Sequence, residues 1–387
     1  MKTILKLIGG LLVGGLIGML IGGLIVVLFT DTTWNEYIQK YYSIDISEGL
    51  AVFLVAIGSL FVSLAIIVPI HELGHLVCGL LSGYKFVSFR IFNFTLLKEN
   101  GKFKIKKFAI AGTGGQCILT PPDLPLEKIP IGWYNIGGVV ANIILLIAIL
   151  PLFFLNLNPF VVEALAIFAM TDAIMILING IPMQAGGISN DGYNVKLLKR
   201  NLLSKQGIMN QLRANALIQK GMRPKDMPDD LFFNPRGINY KNALEVSIPL
   251  MYYSRFIDDK KYDNALEGME SLYCHKDEIM PLYVKEIACE LAFLYLRTGK
   301  IVKADLLLDN DLRKYIDTYR KMMSSKERLL VAIALYLDKD KEKATDIYEH
   351  FKARKNEYLL QGEVKSDLAL IEDMLFIHTQ TLQNSTL

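Results

Sequence analysis

The feature that most constrains this chain is a long run of residues, 49–83, that is almost free of charge outside one short motif. A hydrophobic stretch of this length predicts a membrane-spanning helix. The motif, His71-Glu72-Leu73-Gly74-His75, has the pattern H-E-x-x-H and puts two imidazoles at i and i+4 on one helix face. Ionisable side chains at membrane depth cost free energy, so they indicate a function. The spacing predicts that His71 and His75 bind one Zn²⁺ with Glu72 beside it.

The composition of the chain changes near residue 190. Of its 387 residues 52% are hydrophobic, but the long apolar segments lie before this point and dense charge follows it. The division predicts a membrane domain over 1–200, a linker over 201–238 and a soluble domain over 239–387. The net charge of +3 gives no support for a nucleic-acid partner, and the four cysteines lack the spacing of a disulfide framework.

The membrane domain is predicted to cross the bilayer four times, at about residues 4–29, 49–83, 131–155 and 160–181. The first segment is too long for the apolar core of a signal peptide, so we expect it to be retained. Lysine and arginine concentrate between the second and third spans and after the fourth. The positive-inside rule therefore predicts a multi-pass membrane protein with both termini in the cytoplasm.

Residues 84–110 do not have a helical pattern. Aromatic and β-branched residues alternate with polar ones on both sides of Asn100-Gly101, a pair typical of type I′ turns. The pattern predicts a β-hairpin directly after the motif helix. Its basic face could contact anionic lipid headgroups, and its free edge could bind an extended substrate strand.

Two histidines leave a catalytic zinc one protein ligand short. The acidic candidates are Asp172, inside the fourth span, and Asp191, which follows a segment with proline and paired glycines. Irregular backbone at membrane depth indicates a lined cavity, which favours Asp191, although this residue could also be an ordinary helix N-cap. Asn142, in the third span after Gly137-Gly138, could bind a substrate backbone or an oxyanion, or could join two helices by a hydrogen bond.

These motifs together resemble the site-2 protease family of intramembrane zinc metalloproteases. The family has H-E-x-x-H on one transmembrane helix and N-x-x-P followed by D-G near the end of a later one. The matching residues here are His71, Glu72, His75, Asn179, Pro182, Asp191 and Gly192. The stretch that ends at Asn142 is similar to a third family element. The likeness covers about residues 49–195, and eight residues separate Pro182 from Asp191 where the commonest family spacing is four.

The resemblance implies a bacterial zinc metalloendopeptidase of regulated intramembrane proteolysis. It would hydrolyse a peptide bond within or near a transmembrane segment of a membrane-protein or signal-peptide substrate. One Zn²⁺ per chain would be bound by His71, His75 and Asp191, with Glu72 as the catalytic base. The expected substrate-binding residues are Asn142, Asn179 and Pro182. The alternative is a catalytically silent, membrane-tethered scaffold that binds partners through its soluble domain.

The soluble half has the pattern of consecutive helices. Similar segments containing Ala265, Ala304 and Ala344 recur at a spacing of about 40 residues. This repeat predicts tetratricopeptide-like helical hairpins, which generally bind a peptide or protein partner. The expected fold is thus a membrane α-helical domain with a small β-hairpin insertion, followed by an all-α helical-repeat domain in the cytoplasm.

Overall fold

The computed structural model describes residue 36 and residues 46–99, 102–107, 114–185 and 188–385. The predicted first span, 4–29, lies outside the described residues, as does the Asn100-Gly101 turn. The fold is mostly helical and divides into two compact units. The membrane unit is formed by Met1–Ser82, Gly132–Met183 and Asn190–Val195, and the C-terminal unit by Gly83–Ile131, Gln184–Ser189 and Lys196–Leu387.

The membrane unit is built on three long apolar helices. They are α1 (Ile46–Leu81), α2 (Gly132–Ile149, followed by a 3-10 turn to Phe154) and α3 (Pro159–Gly180). Among the described residues, three helical segments are long and apolar enough to span a membrane: Leu50–Leu81, Leu126–Phe154 and Pro159–Gly180. The chain is therefore an integral membrane protein, and three of the predicted spans coincide with these helices to within a few residues.

Helices α1 and α2 cross where both carry glycine. A Cβ added to Gly74 would lie 2.3 Å from the carbonyl oxygen of Gly137, and one added to Gly137 would lie 2.4 Å from the carbonyl oxygen of Gly74. The two backbones are therefore in direct contact. Such a close approach of backbones is typical of small residues in membrane helices.

The C-terminal unit begins with a four-stranded antiparallel sheet. Its strands are β1 (Lys85–Ile91), β2 (Phe94–Glu99), β3 (Lys102–Lys107) and β4 (Gly115–Thr120), in the order β3-β2-β1-β4. The prediction of a single hairpin was therefore too simple. Phe92, at a φ of 52°, turns the chain between β1 and β2 without the glycine that would have signalled a turn. Glu99 pairs with Lys102, as a two-residue connection at the predicted turn requires.

The remaining structure is a short hairpin and a series of helices. The hairpin joins β5 (Gln184–Ala185) to β6 (Ile188–Ser189), and α4 (Asp191–Arg200) follows it. The later helices are α5 (Leu202–Gln219), α6 (Ala243–Asp258), α7 (Tyr262–Tyr273), α8 (Pro281–Arg297), α9 (Ile301–Leu307), α10 (Asn310–Tyr319), α11 (Ser324–Ala332), α12 (Lys341–Arg354) and α13 (Gln361–Ser385). Residues 201–238, predicted as a linker, thus include the whole of α5. Helices α6 to α13 share one continuous apolar core.

Candidate metal centre

The two motif histidines lie one turn apart on the same face of α1. His71 is 6% exposed and His75 is 9% exposed, and their Nε2 atoms are 3.2 Å apart. This is the arrangement that the i, i+4 spacing predicts, because residues four apart are neighbours on a helix surface. The nitrogen atoms of both rings therefore point to a common position.

Asp191, the first residue of α4, brings a carboxylate to that position. Its Oδ2 atom lies 3.1 Å from Nε2 of His71 and 3.3 Å from Nε2 of His75. Burial by itself would raise the pKa of this carboxyl, but the two imidazoles outweigh burial, and the net pKa lies below the ordinary value. The carboxylate is thus anionic at neutral pH, as a cation site requires.

The three atoms have the geometry of a zinc site. In a tetrahedral site with metal–ligand bonds of about 2.0–2.2 Å, ligand atoms are about 3.3–3.5 Å apart, close to the three separations found here. Three electron-rich atoms at such distances repel one another unless a positive charge lies between them. Of the described residues, these form the group of His, Cys, Asp and Glu side chains that could hold a metal ion. The donor set of two imidazoles and one carboxylate therefore fits Zn²⁺.

Helix α2 leaves the space that an ion would need. A Cβ added to Gly138 would lie 2.5 Å from Nε2 of His71 and 2.6 Å from Nε2 of His75. Any side chain at this position would enter the region where the ligand atoms converge. The paired glycines thus have separate functions: Gly137 permits the helix crossing, and Gly138 keeps the site open.

The ring of His75 is oriented by the backbone. Its Nδ1 lies 2.8 Å from the carbonyl oxygen of Tyr134 on α2, so Nδ1 carries the proton and donates it to that oxygen. Nε2 then presents a lone pair to the centre of the site. Metal-binding histidines are commonly held in this way by a carbonyl or carboxylate acceptor.

Asn190 fixes the position of Asp191. Its side-chain Nδ2 donates to the carbonyl oxygens of Ile178 and Ile181 at 2.5 and 2.6 Å, and its Oδ1 accepts from the backbone N–H of Tyr193 at 2.8 Å. One side chain thus joins the end of α3 to the start of α4. The sequence analysis missed this residue, although asparagine directly before a helix is a recognised capping signal.

The segment between Pro182 and Asp191 explains the spacing that differs from the family pattern. Asn190 and Met183 are joined by a backbone hydrogen bond of 3.2 Å and by a bond from the Met183 N–H to Oδ1 of Asn190. The residues between them include the β5–β6 hairpin. The additional residues therefore form a hairpin whose two ends are joined by these hydrogen bonds. Gly192 follows Asp191 because a Cβ there would lie 2.3 Å from the carbonyl oxygen of Gly180.

The other predicted site residues also belong to the membrane unit. Asp172 is fully buried on α3 but is not part of the three-residue cluster. Asn142 is fully buried on α2, and neither amide atom has a hydrogen-bond partner among the described residues. Asn179 donates to the carbonyl oxygen of Met175, and Pro182 is exposed. Glu72 is half-buried on α1 and interacts electrostatically with His75.

Comparison with known proteins agrees with this geometry. The model of Peptidase family M50, the site-2 protease family, matches residues 59–363, which is more than half of the chain. No curated protein and no solved structure matches the chain. The matched region includes the motif on α1, Asp191 and most of the helices of the C-terminal unit. This chain therefore belongs to Peptidase family M50, a family of zinc-dependent metallopeptidases.

Proposed function

We propose that this protein is an intramembrane zinc metalloprotease that hydrolyses a peptide bond within or near a transmembrane segment of a membrane-protein or signal-peptide substrate. The observation that carries the proposal is the convergence of His71, His75 and Asp191 beside a helix long enough to span a bilayer. A peptidase with its metal ligands on a membrane helix acts most directly on a substrate that lies in the same bilayer. This is the reaction of regulated intramembrane proteolysis.

The side chains divide the chemistry among them. His71, His75 and Asp191 hold one Zn²⁺ per chain, which when bound supplies an activated water and polarises the scissile carbonyl. Glu72 accepts the proton of the attacking water and returns it to the leaving amine. This role is supported by the position of Glu72 next to His71 on α1 and by its electrostatic interaction with His75.

Substrate binding is assigned to polar groups near the centre. Asn142 lies one helical turn beyond Gly138, and its unpartnered amide is available to bind a substrate carbonyl or a developing oxyanion. Asn179 and Pro182 occupy the irregular end of α3, where an extended segment of substrate can be held. A helical substrate hides its carbonyl groups in i→i−4 hydrogen bonds, so it must unwind locally before attack. Separately, β3 is an outer strand of its sheet, and its edge could bind an extended peptide.

The cellular setting follows from the spans and the charge distribution. We propose a bacterial plasma membrane, with both termini in the cytoplasm and the lipid bilayer as the solvent of the membrane unit. The basic residues of the connection between α1 and α2 then lie on the cytoplasmic side. In this arrangement the metal centre lies at the depth of His71, and water reaches it through the protein.

We also propose that residues 239–387 form a helical-repeat domain that binds a protein or peptide partner. Three turns between helices support this proposal, because each contains one residue with positive φ: Lys260 at 59°, Gly299 at 75° and Lys339 at 58°. Five residues after each of these lies a fully buried alanine, namely Ala265, Ala304 or Ala344. The same turn and the same small packing residue thus recur at a spacing of about 40 residues.

The zinc content and the cleavage activity of the detergent-purified protein test the proposed enzyme. Wild type should contain one zinc per chain, and Asp191→Ala should lose it. Glu72→Gln should keep the zinc and cleave a transmembrane substrate about 10²–10⁴-fold more slowly, because a general base has been removed without a ligand. Glu163→Gln makes the same chemical change elsewhere in the spans and serves as the matched control.

The contrary outcomes are equally clear. A wild-type protein that binds no zinc under metal-replete conditions would favour the catalytically silent scaffold. Equal cleavage rates for wild type and Glu72→Gln would remove Glu72 from the mechanism. A substrate span without glycine or proline should be cut more slowly than one that contains them, since unwinding precedes attack.

A further inference from the structure

One buried carboxyl in the membrane unit has no function in the proposed reaction. Asp172 on α3 is fully buried, and neither of its carboxylate oxygens has a hydrogen-bond partner among the described residues. Its neighbour Thr171, by contrast, donates to the carbonyl oxygen of Ile167 at 2.7 Å. A buried polar group without a partner is costly and rare, so it indicates an interaction that the remaining contacts do not provide.

A complementary group lies on α1. Nε2 of His71 points to Asp191 and His75, so a lone pair on that nitrogen requires the ring proton to be on Nδ1. Nδ1 of His71 is buried and has no hydrogen-bond partner among the described residues. His75 differs, because its Nδ1 has the carbonyl oxygen of Tyr134 as acceptor. His71 thus offers a buried donor and Asp172 a buried acceptor, and among the described residues neither group has a hydrogen-bond partner.

The two groups are close enough to influence each other. Helices α1 and α3 pack together, and Asp172 interacts electrostatically with His71. We propose that Asp172 is a positioning residue whose carboxylate accepts the Nδ1–H of His71 through a bridging water. A carboxylate in this position fixes the tautomer and the orientation of the ring and makes Nε2 a stronger ligand. The inference rests on the zinc site proposed above.

The donor and the acceptor also match in chemistry. A carboxylate oxygen is a common acceptor for the Nδ1–H of a metal-binding histidine, and both groups are buried without another partner among the described residues. In this proposal the two ligands have different supports: a backbone carbonyl orients His75 and a carboxylate orients His71.

The test compares Asp172→Asn and Asp172→Leu with wild type and with the control Glu163→Gln, which changes another carboxyl of α3. Zinc affinity is measured by competition with a chelator, and the Nδ1–H signal of His71 by NMR of the zinc-loaded protein with ¹⁵N-labelled histidine.

Zinc affinity should fall about 10-fold for Asp172→Asn and towards about 100-fold for Asp172→Leu. The Nδ1–H signal should shift in both variants, while the metal-free protein should unfold at no lower temperature than wild type. The control should match wild type.

Each other result overturns the inference in a recognisable way. If wild type binds one zinc and Asp172→Asn has unchanged affinity and an unchanged His71 signal, the positioning role fails and the proposed enzyme stands. If zinc affinity and metal-free stability fall together in both variants, Asp172 is a structural residue only. If Asp172→Asn binds no zinc while Asp191→Ala retains it, Asp172 is itself the ligand. A wild-type protein without zinc ends both proposals.

Discussion

A single missing side chain decides whether the metal centre can exist. At Gly138 the space that a Cβ would fill is the space into which the ligand nitrogens of His71 and His75 point. Glycine is usually explained by backbone freedom, yet here it lies inside a regular helix, where it costs stability relative to alanine. Glycine at this position lets α2 pack next to the two imidazoles without a side chain that would fill the space between them.

We expect Gly138→Ala to weaken zinc binding by about 100-fold or more, because the added methyl group displaces both imidazole rings. Zinc content after dialysis against a weak chelator measures the effect. Gly132→Ala is the matched control, since a Cβ on this glycine of the same helix meets nothing within 4 Å. Normal zinc content in Gly138→Ala would mean that the ligands converge elsewhere.

At the scale of elements, the site depends on the junction between α3 and α4. The proposed ligand Asp191 is the first residue of a helix, and its position is fixed by Asn190. This side chain bonds to the carbonyls of Ile178 and Ile181 at the end of α3 and to the first turn of α4. The β5–β6 hairpin alters the length of the connection but not its ends. Additional residues are therefore tolerated in this connection, because hydrogen bonds between the end of α3 and the start of α4 fix the position of Asp191.

Replacing Asn190 by alanine tests whether this junction determines the zinc affinity of the site. The loss of an N-cap costs about 1 kcal/mol, and the loss of the two bonds to α3 frees Asp191 to move, so we expect zinc affinity to fall about 10-fold. Chelator competition measures this affinity. Asn158→Ala removes the N-cap of α3 far along the chain from the ligand, where Oδ1 accepts from the Phe160 N–H at 2.9 Å. It should cost similar stability and leave zinc affinity unchanged; equal losses in both variants would point to general destabilisation.

At the scale of the whole molecule, both compact units carry ionisable groups in their interiors. In the membrane unit three of these groups form the candidate metal centre. In the C-terminal unit they form ion pairs within the helical core: Lys326 with Glu286 at 2.8 Å, and Arg328 with Glu290 at 2.5 Å. Around these ion pairs the carboxyl groups outnumber the cationic side chains. Burial and the neighbouring negative charges raise the pKa of Glu363 to about 8, and burial raises the pKa of Asp367 to about 6 in spite of Arg328.

These carboxyls should make the C-terminal unit less stable as the pH rises. The pKa of Glu363 is about 8 in the folded protein against an ordinary value of 4.5, so the folded state binds more protons between these values. The free energy of unfolding should therefore fall with rising pH across this window, with Asp367 contributing at its lower end. Thermal unfolding of the full protein in detergent, followed by circular dichroism between about pH 5 and about pH 8.5, measures the slope.

Glu363→Gln should reduce that slope, because a neutral amide replaces the carboxyl that loses its proton in this range. Glu342→Gln changes an exposed glutamate of α12 and should leave the slope as in wild type. A wild-type protein whose unfolding temperature rises from acidic to alkaline pH would contradict the assignment. So would an undiminished slope in Glu363→Gln.

The sequence alone was sufficient for the features that depend on local periodicity. Spans 49–83, 131–155 and 160–181 follow from the length of apolar segments, because a bilayer of fixed thickness leaves few alternatives. The pairing of His71 with His75 follows from the 3.6-residue period of a helix. These predictions needed no knowledge of how distant segments meet, and the structure agrees with them.

Only the tertiary structure decided what depends on distant segments meeting. The irregular backbone before Asp191 favoured it over Asp172 in the sequence, but spacing could not show which carboxylate reaches the imidazoles, since both follow the motif by about a hundred residues. The folded chain brings Asp191 to the imidazoles and leaves Asp172 outside the cluster, where its unsatisfied oxygens became visible. The turn between β1 and β2, the role of Gly138 and the bonds of Asn190 were likewise not predicted. Each depends on contacts across helices or strands, and such contacts are set by packing rather than by local sequence.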